Sequence, residues 1–277
     1  SGLISMMFSD KNLVDFFQSL FTGAFGSERK FWLLLQDTSL LLGTSMALLP
    51  AFKMKFWNLG GNGQILVGCL AAIACMFYLG GKVNDSVIIL LMLLASVTAG
   101  AIWAAIPAIF KAKFNTNESL FTLMMNYIAM QIVSYFSNIW AVPKGSGQIG
   151  MINGRTNVGW LPSLLGQKYL LSILIVLFLA IIVYVYLKYS KHGYEISVVG
   201  ESENTARYVG INVKKVIIRT LIVSGALCGI AGLLIVGGTN HTISTTAVAG
   251  RGFTAIMVSW LAKFNPIVMV LTTFRVV

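Results

Sequence analysis

Two histidines, three cysteines and nine acidic residues carry most of the reactive chemistry of this 277-residue chain. Their spacing argues against catalysis. His192 and His241 lie far apart, and neither stands beside a second metal-type ligand. The chain has no H-E-x-x-H zinc helix, no G-x-S-x-G nucleophile turn and no G-x-x-x-x-G-K-[ST] phosphate loop. Cys69, Cys75 and Cys228 sit inside apolar runs and read as small hydrophobes, not as a disulfide or zinc framework. No catalytic residue, no metal and no cofactor is expected in this chain. Asp37 is the only acid in the middle of an apolar segment. A carboxylate inside a membrane is a functional candidate by default, whereas one near an interface is not. A proton-driven carrier needs more than this one group. The densest polar cluster is instead neutral: Trp57–Gln64 holds three glycines with the amides Asn58, Asn62 and Gln64.

The elements that position these groups follow from composition. The chain is 57% hydrophobic and 10% charged, where a soluble domain carries roughly 25% charged residues. Soluble enzymes, disordered chains and disulfide-rich secreted modules are excluded. The net charge of +11 is dispersed between apolar runs and not gathered in a stripe, which fits membrane-flanking loops and not nucleic acid. A helix needs about 20 apolar residues to cross the bilayer core. Such stretches run over Phe31–Phe52, Phe56–Gly81, Val87–Phe110, Ser119–Pro143, Leu170–Leu187 and Thr220–Gly237, and another starts near Gly252. The expected fold is all-α: a polytopic membrane protein with about seven helical crossings or part-crossings, broken or re-entrant in places. With no initiator Met at Ser1, the chain is expected to be part of a longer protein.

Basic residues set the orientation. The segments Lys53–Gly60, Lys111–Glu118 and Lys188–Arg219 hold ten in 48 positions, against eight in 80 for the alternate set. The first set is therefore assigned to the cytoplasm, and the Gly-rich loop Trp140–Lys168 to the outside. Trp32, Trp57 and Trp140 are expected as interfacial anchors. Ser96, Gly100, Ala104 and Ala108, with Gly225 and Gly229, recur at spacings that let helices approach closely.

Two helices should break. Ile65–Leu79 has only 15 residues, about 22 Å of helix, and must draw on the residues before it to span. Glycines and amides at that depth fit a cavity or protein surface better than lipid. Asn58, Asn62 and Gln64 are therefore expected to face a pathway, although a plain cytoplasmic turn also fits. The second interruption, Lys263-Phe264-Asn265-Pro266, follows Gly252–Ala262. Paired interruptions in two halves of a chain point to a transporter's central site. Between the spans, Ser202 reads as the N-cap of a short helix over Glu203–Val209 with Gly210 as its stop. So short a helix needs a partner to rest on.

Four blocks in order resemble the permease subunits of bacterial ABC importers of the ribose, nucleoside and branched-chain amino acid class. Trp57–Gln64 (W-N-L-G-G-N-G-Q) resembles the family's N-I-G-x-E-G-Q block, and Asn117–Ala129 its N-E-x-x-x-T-L-M-x-N-Y-I-A helix. Val199–Ile211 is similar to the cytoplasmic V-G-x-N-x-x-A-A-R-Y-x-G-I coupling segment, and Gly250–Pro266 to the G-x-G-F-x-A-I-x-V-A-L-L-G-x-x-x-P block. Departures matter at the first and third blocks: Asn62 stands where the family has Glu, Ser202 replaces Asn and Thr205 replaces Ala.

The resemblance implies one transmembrane permease domain over 1–277, lacking an N-terminal helix and the C-terminal helices, with a cytoplasmic coupling loop at 188–215. It implies a bacterial plasma-membrane location and several partners: a second permease subunit, an ABC ATPase that holds ATP and Mg, and an extracellular substrate-binding protein or lipoprotein. Gly200, Glu201, Ala206, Arg207 and Gly210 are the implied ATPase-coupling residues. Asn58, Asn62, Gln64 and Asn126 are the candidate substrate-pathway residues, their neutral amides suited to an uncharged polar solute. The nucleoside and simple-sugar subgroup is nearest. Riboflavin or branched-chain amino acid permeases, or an ion-gradient-driven carrier, are the alternatives.

Overall fold

The computed structural model describes residues 18, 22–23, 25–141 and 149–277. These residues form helices and turns with no strand, apart from an isolated bridge between Leu164 and Gln167. In chain order the helices are α1 (Glu28–Lys53), α2 (Gly61–Leu79), α3 (Asp85–Phe114), α4 (Glu118–Trp140), α5 (Leu170–Tyr189), α6 (Lys191–Glu201), α7 (Glu203–Tyr208), α8 (Val213–Ile235), α9 (Arg251–Leu261) and α10 (Pro266–Val276). Six of them are long and apolar enough to cross a membrane: α1 to α5, and α8 with the π-helical turn Val236–Asn240 that extends it. Three of these six starts carry a side-chain cap. Ser27 Oγ accepts from Lys30 N at α1, Asn117 Oδ1 from Leu120 N at α4 and Asn212 Oδ1 from Lys215 N at α8.

Helices α1, α2 and α8 form the interior, and most of each is buried, whereas α3, α4 and α5 show most of their surface to the outside. The small-residue faces explain the closest contact, α3 against α8. A Cβ on Gly225 would collide with the Gly100 carbonyl and Ala104, and one on Gly229 with the Ser96 carbonyl. Gly68 of α2 meets Gly229 from another side, its would-be Cβ only 2.8 Å from Gly229 Cα. Without a hydrophobic force between helices in lipid, such backbone proximity is what holds them. Cys69 and Cys228 are fully buried in this interior and, like Cys75, are free thiols.

Helices α9 and α10 have 11 residues each, about 16 Å and half a bilayer core. Between them Lys263 and Phe264 both adopt positive φ, 49° and 57°. Asn265 then caps α10, accepting from Ile267 N at 3.0 Å, with Pro266 in the first turn. The expected second break is thus a tight reversal.

Two expectations change. Trp140 is 4% exposed, not interfacial: it packs on Phe77 and Phe136 and donates to Tyr78 Oη at 3.2 Å. Gly238–Arg251, which belongs to the alternate set of loops by its basic-residue density, is not wholly a surface loop. Its first part pairs with the long loop, Ile152 N donating to the His241 carbonyl, but Val248 is buried and Arg251 reaches α1. The segment re-enters the bundle because α9 starts inside it. Pro143, the expected end of the fourth span, lies outside the described residues.

Candidate functional site

Helix α1 stops at Lys53, and the chain returns through Met54–Gly60 before α2 begins. Gly61 packs against Leu48, with a would-be Cβ 2.9 Å from Leu48 Cδ1, so α2 starts more than a helical turn inside the end of α1. This non-helical stretch carries buried backbone groups that need partners, and side chains supply them. Asn58 Oδ1 accepts from Gly60 N at 3.0 Å and from Gln64 Nε2 at 3.3 Å, while Asn58 Nδ2 donates to Gln64 Oε1 at 3.4 Å. From α4, Thr122 Oγ1 accepts from Leu59 N at 3.1 Å. Asn126 clamps both sides of the break: Oδ1 accepts from Gly63 N and Nδ2 donates to the Leu59 carbonyl, each at 2.7 Å.

The fourth amide joins the two breaks. Gly252 N, in the first turn of α9, donates to Asn62 Oδ1 at 2.8 Å. The N-termini of α2 and α9 therefore meet inside the bundle. Each concentrates about half a positive charge, and Arg251 adds a full one. Asp37 is the opposing charge: its Oδ1 accepts from Arg251 Nη2 at 2.7 Å. Asp37 lies about 14 Å along α1 from Glu28, and its side chain is about half exposed where it meets Arg251.

Asn58, Asn62, Gln64 and Asn126 are each at most 4% exposed. The structure brings all four together, but turns them onto backbone and one another, not onto open space. The physical reason is the break itself, whose freed peptide groups compete for the amides. The sequence did not show that Thr122 joins the cluster, or that Arg251 is the partner of Asp37.

The proposed coupling segment lies at the end of the bundle where α1, α3 and α5 finish. Helix α6 is fastened there: Gly200 sits against the Lys53 carbonyl, too close for a Cβ, and Glu195 forms an ion pair with Arg219 of α8. Ser202 Oγ caps α7, accepting from Thr205 N at 3.2 Å, and Gly210 follows at φ +84°. Ala206 is fully buried, while Arg207 pairs with Glu203 at 3.3 Å on the exposed side. Tyr208 is 95% exposed, and Glu201 is exposed too.

At the opposite end, a cavity of about 600 Å³ is lined by Asp85, Asn157, Trp160, Lys168, Tyr169 and His241, among others. Trp160 and His241 stack face to face, centroids 3.7 Å apart. Burial lowers the His241 pKa below the ordinary histidine value and the Lys168 cation adds to this, against a raising hydrogen bond with Val236. Among the described residues no three metal-type ligands come together.

The family described as "Branched-chain amino acid transport system / permease component" matches residues 31–277. The guanosine ABC transporter permease protein NupP of Bacillus subtilis is 28% identical over 98% of this chain and 78% of its own length. The nucleoside ABC transporter permease protein NupB of Lactococcus lactis is 28% identical over 96% of this chain and 75% of its own. The glucose ABC transporter permease protein TsgB13 of Haloferax volcanii is 26% identical over 83% of this chain and 62% of its own. No solved structure matches the chain significantly.

Proposed function

Since the chain belongs to the branched-chain amino acid transport permease family, and is thus a multi-pass plasma-membrane transport component and not an enzyme, we propose that it carries a nucleoside into the cell. Permeases of this kind work with an ATPase and with substrate-binding partners. In this reading a separate ATPase, holding ATP and Mg, seats on α6 and α7. A second permease subunit completes the pathway, and an extracellular binding protein or lipoprotein delivers the solute. The observation that carries the substrate class is the near full-length similarity to two nucleoside permeases.

The site residues take defined roles. Asn58, Asn62, Gln64 and Asn126 hold the helix break that shapes the pathway, acting on it through backbone position. Gly200 and Ala206 seat the coupling segment on the bundle, Gly210 ends it, and Glu201 and Arg207 face the ATPase. The lone Asp37 is neutralised by Arg251, which favours ATP over an ion gradient as the energy source.

The test is uptake by the full-length complex in proteoliposomes with its binding protein. ATP-dependent accumulation of guanosine, competed by other nucleosides and unaffected when ion gradients are collapsed, is the expected result. Preference for glucose, riboflavin or a branched-chain amino acid would reassign the substrate. Uptake driven by a gradient without ATP would reject the importer.

A further inference from the structure

The outward faces of the three peripheral helices differ in kind. On α3 the exposed side chains at mid-helix are aliphatic, such as Leu94 and Ile102, and the Thr98 hydroxyl there donates back to the Leu94 carbonyl. On α5 they are Phe178, Ile181 and Ile182. These faces suit acyl chains. Helix α4 also exposes apolar side chains, among them Met124, Ile128 and Ile139, but adds Tyr127, Gln131, Tyr135 and Asn138, which at spacings of four, four and three lie on one side of the helix. Tyr127 is 58% and Tyr135 63% exposed, and none of the Gln131 amide or the two tyrosine hydroxyls has a protein hydrogen bond among the described residues. Gln131 stands only about 3 Å from the middle of α4 along its axis. The Gln131 amide makes no bond back to its own helix, unlike the Thr98 hydroxyl. Facing hydrocarbon it would stay unsatisfied, at a cost that polar groups in membranes avoid by facing water or protein.

Resting on the importer reading above, we infer that this face of α4 lines the water-filled solute path and selects for an uncharged solute with a planar ring. Tyr127 and Tyr135 bound a shallow, open groove of about 460 Å³ with Gln131 between them, its floor completed by the apolar side chains of Ile128, Ile132 and Phe136. The tyrosine rings supply stacking surfaces one turn to either side of an amide that both donates and accepts. Asn126, the next residue to Tyr127, clamps the break in α2, so the same helix that fixes the break also presents the groove.

Accessibility tests this directly. In the full-length complex with Cys75 replaced by Ala (Cys69 and Cys228 being fully buried), single Gln131→Cys, Leu94→Cys and Ile181→Cys variants are treated with a charged, membrane-impermeant thiosulfonate reagent. Only a hydrated thiolate reacts, so Gln131→Cys should label at least about tenfold faster than the other two. Guanosine should slow that labelling. Separately, Gln131→Leu should raise the guanosine KM about three- to tenfold, the loss of one neutral hydrogen bond, with ATPase assembly unchanged, and Gln131→Asn should recover part of it.

Equally slow labelling at all three positions would overturn the inference while leaving ATP-driven uptake, and so the importer reading, intact. Slow labelling with disulfide cross-linking to the second permease subunit would also overturn it, since the stripe would then be a dry subunit contact. Fast, guanosine-protected labelling without ATP-driven uptake would uphold the path and reject the energy source instead.

Discussion

Replacing Asn126 by Leu keeps the branched shape and the number of side-chain heavy atoms but removes both hydrogen bonds across the α1–α2 break. The Gly63 N–H and the Leu59 carbonyl, each bonded at 2.7 Å, are then left without a partner. A buried polar group left unpaired costs about 1–3 kcal/mol, which for two groups gives about 2–6 kcal/mol. Interhelical hydrogen bonds in membranes average only about 0.6 kcal/mol and reach about 1.7, because the unfolded segments find other partners in the bilayer. That relief is weaker here. Gly63 lies in the first turn of α2, where no preceding turn offers a carbonyl, and the amides Asn58 and Gln64 are engaged with each other. The expected loss is therefore about 2–4 kcal/mol, about 30- to 1,000-fold in the folding equilibrium. Unfolding of the full-length protein in mixed micelles by added SDS measures it, with Tyr127→Leu as the control on the exposed side of the same turn. A loss for Asn126→Leu below about 0.5 kcal/mol, the range of inert surface changes, would refute the argument that this amide holds the break.

Gly225→Val should prevent close packing of α3 on α8, since even a Cβ collides with the Gly100 carbonyl; a monodisperse peak of native Tm on size exclusion would count against it, the expected overpacking cost being at least about 1–3 kcal/mol. Arg207→Glu should abolish substrate-stimulated ATPase activity and uptake in the complex while leaving solute binding by the extracellular protein unchanged. Its effect on the fold should stay under about 1 kcal/mol, because the Arg207–Glu203 pair is exposed. His241 should make stability fall with acid. Its native pKa lies below the unfolded value of about 6.5, so the unfolded chain binds the extra proton first, and Tm should decline as pH drops through about 6.5 until the lowered native value is passed. His241→Phe, which keeps a ring against Trp160, should flatten that part of the profile.

Where the sequence was informative, a length or a local rule decided the outcome. The 15 residues of Ile65–Leu79 were too few to span, and α2 does recruit Gly61 to Gln64. Ser202 and Gly210 bracket a helix because capping and positive φ are local properties. The direction of the four amides was not local. Burying a polar group requires a partner, but whether that partner is water or peptide depends on Thr122 and Asn126, more than sixty residues away. The Asp37–Arg251 pair, 214 residues apart, had no signal in spacing at all. The α4 stripe is an intermediate case. Tyr127, Gln131 and Tyr135 stand at helical spacing in the sequence, but only the packing of Asn126 and Val133 inward shows that they point outward.

The two helix breaks act as one mechanical unit. Asn62 bonds the start of α9, Trp57 meets Trp260 with ring centroids 5.2 Å apart, and Phe52 stacks on Phe264 at 6.1 Å. Both the entry into α2 and the reversal between α9 and α10 are therefore tied to the end of α1. Helix α6 bears on that same end, where Gly200 touches the Lys53 carbonyl with no side chain between them. Packed interiors transmit strain because they compress little. On the proposed reading, a push on α7 passes through α6 into the last turn of α1 and so into the residues that Asn58 and Asn126 hold. A serine or alanine side chain at position 200 would separate the two backbones and loosen that link. This accounts physically for a glycine at the point where the ATPase side meets the break.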